Sequence, residues 1–285
     1  MARRSSRYRL NDRRFGSQDR LIVVGRYDRG FGPIDGRLNP VIGVQFIDFS
    51  KSETAGDPAL TTVDVPEGTE VIFAQVIDSM RSATSPTVVD YNMTVGGESM
   101  TTLAVSSPAG GFNVTSVTTH LDNTGPALVG SQPVSFDRVT PDGCCHVVFW
   151  FLRAVDTNPA NYAGLPQSGL NESSNTALVT PLTDNGLLLT HGGSRRPGTG
   201  PKTSPLVVTG DMVKLGESAS PDPLSTSNNS LYTTYGSSFT DDLLQKQVTI
   251  DWGFADRWAQ CTCWIPVTTD LSGFSDGFND GFGGS

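Results

Sequence analysis

The chain is poor in the side chains that carry out chemistry. Three histidines and four cysteines occur among 285 residues, and charged residues make up only 17%. The one Gly-x-Ser-x-Gly string, Gly273 to Gly277, lies in a Gly-rich tail with no apolar strand before it, so no nucleophile elbow of the α/β-hydrolase kind is expected. There is also no phosphate-binding P-loop and no Gly-x-Gly-x-x-Gly fingerprint, which removes the common nucleotide-binding frames. No segment approaches the roughly 18 consecutive apolar residues of a spanning helix, so no membrane anchor of that kind is expected. The first residues lack the apolar core of a secretory signal. The expectation is therefore synthesis in a reducing cytoplasm, with thiols free rather than bridged. A sustained apolar stripe at helical period is missing as well, which argues against a helical domain.

What is present favours strands. Thr, Ser, Val, Gly and Asp dominate, and 31 Gly and 18 Pro punctuate short apolar runs. The strongest run, Cys145 to Arg153, is apolar on both alternating sets, with Val147, Phe149 and Phe151 on one and Val148, Trp150 and Leu152 on the other. A strand of that kind is covered on both faces, so it is expected at the centre of the core. In Arg257 to Ile265, Ala259, Cys261, Cys263 and Ile265 share one face, and Trp258, Gln260, Thr262 and Trp264 the other. Cys261 and Cys263 thus occupy positions of small apolar core residues.

About a dozen short strands follow one another with turn signals between them. Gly96-Gly97 marks a hairpin whose glycines take positive φ. The stretch 157 to 176 reads as a loop, and Leu206 to Leu215 as one strand. The predicted fold is all-β, two packed antiparallel sheets in a jelly-roll-like sandwich. The expected organisation is an arm over 1–20, an attachment segment or edge hairpin over 21–58, the sandwich over 59–268, and a tail over 269–285.

Charge is divided unevenly along the chain. Residues 1 to 37 hold ten Arg and no Lys against four Asp, a balance of +6, so the remaining 248 residues carry −15 of the net −9. Arg3, Arg4, Arg7, Arg9, Arg13 and Arg14 lie in a segment too polar to fold alone. Such an arm neutralises nucleic-acid phosphates or lies on the acidic surface of a neighbouring subunit. Few aromatics interleave with these arginines, which places the protein partner first and nucleic acid second. The tail repeats Gly-Phe-x-Asp and offers Phe274, Phe278 and Phe282 to a partner's grooves or a neighbouring subunit.

Candidate chemistry is sparse. His146 lies within the central strand, where a structural imidazole is expected, and no partner can be named for His191 in His191-Gly192-Gly193-Ser194. Cys144, Cys145, His146, Cys261 and Cys263 would make a thiolate-rich zinc cluster if they converged. Their spacing matches no common finger, however, and adjacent strand residues point to opposite faces. Asp276 and Asp280 carry no calcium-loop spacing. Neither a metal nor a cofactor is expected, and no catalytic residue is assigned. Tyr162, Tyr232 and Tyr235 are read as loop aromatics able to stack on sugar rings.

Four stretches in order resemble β-sandwich modules in virion proteins of tailed bacteriophages: Thr94 to Thr101 (TVGGESMT), Phe149 to Asp156 (FWFLRAVD), Asp184 to Thr190 (DNGLLLT) and Asp256 to Pro266 (DRWAQCTCWIP). Ala154 stands where those modules have Gly, and the resemblance spans residues 60 to 268. It implies a non-enzymatic sandwich on the particle as a tail-tip, fibre or head-decoration component, made in the host cytoplasm. Its implied partners are other virion proteins, further copies of itself and a host surface polysaccharide. The alternatives are a jelly-roll capsid shell protein with a nucleic-acid-binding arm, and a carbohydrate-binding module.

Overall fold

A computed structural model describes residues 20–22, 40–49, 59–80, 91–108, 113–125, 127–138, 144–197, 206–221 and 229–268. Over these residues the chain is almost wholly antiparallel β-structure, with a single 3-10 turn at Pro159–Asn161. The first sheet is built from β1 (Arg20–Ile22), β2 (Val41–Asp48), β4 (Val71–Met80), β7 (Thr101–Ser106), β8 (Asn113–Asp122) and β10 (Cys145–Leu152). Its order is β1-β2-β10-β4-β8-β7. The second contains β3 (Ala59–Val65), β5 (Tyr91–Val95), β6 (Glu98–Ser99) and β9 (Gly130–Arg138), in the order β3-β9-β5-β6. The chain crosses between the two sheets at β2–β3, β3–β4, β4–β5, β6–β7, β8–β9 and β9–β10, and β2-β10-β4-β8 faces β3-β9-β5-β6 across a shared core. That is the eight-stranded arrangement of a jelly roll. β1 pairs antiparallel with β2, and β2 contributes core residues Val44 and Ile47.

The third sheet comprises β11 (Pro166–Val179), β12 (Gly186–Pro197), β13 (Val207–Gly210), β14 (Val213–Pro221), β15 (Asn229–Thr240) and β16 (Lys246–Pro266). It covers the opposite face of the first sheet, so the sandwich has a layer more than the pair read from the strand pattern. The central strand explains why. Val147, Phe149 and Phe151 of β10 pack with Val134 and Phe136 of the second sheet, while Val148, Trp150 and Leu152 pack with Leu187, Leu189 and Ile265 of the third. Both faces of β10 are buried, and each large apolar side chain so covered contributes about 1.5–3 kcal/mol.

β11 and β16 each run through two layers. The later half of β16, Trp258 to Pro266, pairs with β12, whereas its first half pairs with β13 and the end of β11. Gly253, at φ 69°, lies between the halves. The first half returns over the sheet's outer face, where Val248 meets Leu188 and Trp264, and Ile250 meets Tyr232 and Trp258.

Three sequence expectations are corrected. Residues 166 to 176 form strand rather than loop, because β11 is largely exposed and its Ser, Asn and Glu face solvent. Residues 206 to 215 contain two strands, broken where Gly210 adopts φ 92° at the Gly210-Asp211 turn. β3 had no separate place in the strand reading, since its polar Thr61, Thr62 and Asp64 dilute the apolar signal. The Gly96-Gly97 hairpin has φ values of 61° and 87°, which glycine adopts freely.

Strand directions give the molecule two ends. The chain enters β1 near the end where β2 finishes, because Arg20 pairs with Phe46. The opposite end holds the β10–β11, β11–β12 and β15–β16 connections, together with Thr268, whose N–H donates to the Ala154 carbonyl.

Candidate functional site

Two of the side chains singled out for chemistry, His146 and His191, lie between the first and third sheets, in a buried polar seam. His146 of β10 is fully buried, with Nδ1 2.8 Å from Thr233 Oγ1 and Nε2 2.9 Å from Ser220 Oγ. The Ser220 hydroxyl donates to Asp48 Oδ2, so its oxygen accepts from Nε2–H, and Thr233 donates to Nδ1. One aspartate, one serine and one histidine are thereby linked in the wrong order for a hydrolase. Serine stands between histidine and carboxylate, and its proton points to the carboxylate. The chain ties β2 and β10 to β14 and β15. Burial holds the His146 pKa below its ordinary value, and the Asp48 carboxylate partly opposes this.

Deeper in the seam, Gln75 of β4 accepts from Trp150 Nε1 at 3.0 Å and donates to the carbonyls of Cys261 and Leu189 at 3.2 and 3.4 Å. His191 Nδ1 donates to the Gln75 carbonyl at 2.9 Å, which leaves Nε2 a bare acceptor without a hydrogen-bond partner among the described residues. Burial lowers its pKa to about 3, so the ring is neutral at pH 7. His191 lies inside β12 rather than in the loop its Gly-Gly-Ser neighbours suggested. Those glycines bring layers close: a Cβ on Gly193 would lie 2.9 Å from Ile77 Cγ2.

The cysteines are dispersed. Cys145 packs between the first and second sheets and Cys263 between the first and third, while Cys144 and Cys261 share a small cluster with Ile77 and Leu231. No group of metal-ligating side chains occurs among the described residues. Burial pushes both the Cys261 and Cys263 thiols up, Cys263 to about 12, which keeps them protonated and weakly nucleophilic.

His120 lies at the other end of the first sheet, its ring edge-on to Tyr162, and burial lowers its pKa against the raising effect of Asp122. The sugar-stacking reading of the tyrosines is corrected. Tyr232 and Tyr235 are buried strand residues, and Tyr162 is half-buried with its hydroxyl donating to the Asp156 carbonyl. Val147, Phe149, Trp150 and Phe151 are fully buried. Arg3, Arg4, Arg7, Arg9, Arg13, Arg14, Phe274, Phe278 and Phe282 lie outside the described residues, as do Asp276 and Asp280.

Sequence reasoning missed Gln75, Asp48, Ser220 and Thr233. A glutamine inside the apolar run Val71 to Ile77 was the available signal, because a buried amide requires partners. Fold and seam together define an antiparallel jelly-roll sandwich with an added sheet, in which every histidine and cysteine is buried. No family model, curated protein or solved structure matches the chain.

Proposed function

We propose that this chain is a non-enzymatic structural component of a bacteriophage virion, in a tail-tip, fibre or head-decoration position. The observation that carries this reading is a jelly-roll fold within 248 residues that together carry −15, behind a 37-residue segment of +6. Opposite charges on arm and body suit docking between like or neighbouring subunits, and the arm serves as the anchor. The burial of all three histidines and all four cysteines supports it, since these nucleophiles and bases have no open approach to a substrate. Outward loops and the Phe-bearing tail are then left to meet other subunits or a host surface polysaccharide.

A second reading is a capsid shell protein whose arm packages nucleic acid. The strand order favours it, because eight-stranded jelly rolls are the fold of viral capsid domains as well as lectins. Sedimentation velocity on the full chain and on a 1–20 deletion separates the two, at low and high salt with absorbance followed at 260 and 280 nm. Protein free of nucleic acid is expected, whatever its state of association. Nucleic acid that co-sediments and is lost with the arm or with salt would put the shell reading first.

A further inference from the structure

The end of the third sheet remote from β1 carries an apolar patch with an acidic rim. The connections 180–185 and 241–245 lie side by side there, because Gly186 pairs with Thr240 and Val179 with Lys246. Leu182, Leu243 and Leu244 on these connections are 58%, 59% and 70% exposed, and Leu178 beside them is 55% exposed. Scattered exposed leucines are ordinary, but four gathered at one end are not. Asp184, Asp211 and Asp241 are exposed around them, and the nearby Lys246 is held by Asp242 at 2.6 Å.

Charge and position select the occupant. The chain's own tail begins beside this patch, since Val267 N–H donates to the Asn185 carbonyl. That tail carries Asp270, Asp276 and Asp280 among its phenylalanines, the same sign as the rim. The arm has the opposite sign, with seven Arg against two Asp in residues 1–20, and it brings Tyr8, Leu10 and Phe15. Its chain leaves β1 at the far end of the molecule, beside Phe46. The arm thus joins the described chain at the end remote from the patch, and its docking on the patch of the next molecule is a head-to-tail contact that propagates or closes into a ring.

We propose that Leu178, Leu182, Leu243 and Leu244, with their aspartate rim, receive the arginine arm of a second copy of this chain. This rests on the reading that the arm docks on protein, and it names the partner as the chain itself.

Two full-length variants test it by complementation. In one, Arg3, Arg4, Arg7, Arg9, Arg13 and Arg14 are changed to Ser; in the other, Asp184→Lys and Asp241→Lys are combined with Leu243→Ser and Leu244→Ser. In sedimentation velocity at low salt the wild type is expected to associate with rising concentration, and each variant alone at least tenfold more weakly. An equimolar mixture should restore a complex that stops at the pair, which also shows that both variants are folded. Salt should weaken it, as screening demands. A monomeric wild type, or a mixture that does not associate, overturns the proposal. So does loss of association on removing residues 269–285 with the arm variant unaffected, which would make the tail the occupant. A chain that self-associates in this way yet fails to join any particle would instead sink the virion reading and leave this contact standing.

Discussion

Ala154 is held at φ 50°, a left-handed conformation in which a Cβ crowds the following carbonyl. Both of its backbone groups are fixed: the N–H donates to Glu70 Oε2 at 2.7 Å, and the carbonyl accepts from Thr268 N–H at 2.8 Å. The strain is therefore imposed by the junction between β10, the β3–β4 connection and the end of β16. Relieving it recovers about 1–2 kcal/mol, and the added freedom of glycine in the unfolded chain takes back about 0.4–1 kcal/mol. Ala154→Gly should raise stability by about 0.5–1 kcal/mol, seen as a higher urea midpoint at unchanged slope. A lower midpoint would mean that the conformation is not strained for alanine. This strain was not legible in the sequence, because an alanine carries no signal of a positive φ. Nor was the Asp48, Ser220 and His146 contact, because the serine lies 172 residues from the aspartate.

The seam between the first and third sheets makes stability depend on pH. His120, His146 and His191 all have pKa values below the ordinary 6.5, in each case with burial as the largest cause. A depressed histidine pKa means that the unfolded chain binds the proton more readily. Stability from these groups is then fully present above pH 6.5 and declines as pH falls toward the folded values, about 3 for His191. Each such histidine adds a slope of up to about 1.4 kcal/mol per pH unit in that window. Urea midpoints measured from pH 7 down to 5 should fall, and His191→Gln should flatten the decline. A midpoint constant over that range would show that these rings take up protons alike in the folded and unfolded chain, which is incompatible with lowered pKa values. At this scale the sequence was informative where burial leaves an apolar signature. β10 is readable because both of its faces are covered, and the first half of β11 is not, because an exposed polar strand has the composition of a loop.

For the whole molecule, the decisive feature is that the first sheet belongs to both hydrophobic interfaces. Phe149 and Phe151 serve one, Trp150 and Leu152 the other, so neither outer layer can leave without exposing a face of the same strands. The extra layer was implicit in the double-faced apolar run, but the return of β16 over its own sheet was not, since strand patterns record neither strand order nor bends. Shared strands predict that the jelly roll and the added sheet unfold together. The cysteines report this directly: Cys145 sits in one interface, Cys263 in the other, and Cys144 and Cys261 in the cluster with Leu231 and Val114. In pulsed alkylation across a urea series, all four thiols should become reactive at one midpoint, coincident with the loss of tryptophan burial. If Cys263 reacts at a lower urea concentration than Cys145, the third sheet detaches while the jelly roll persists, and the two are separate folding units joined by Gln75 and His146.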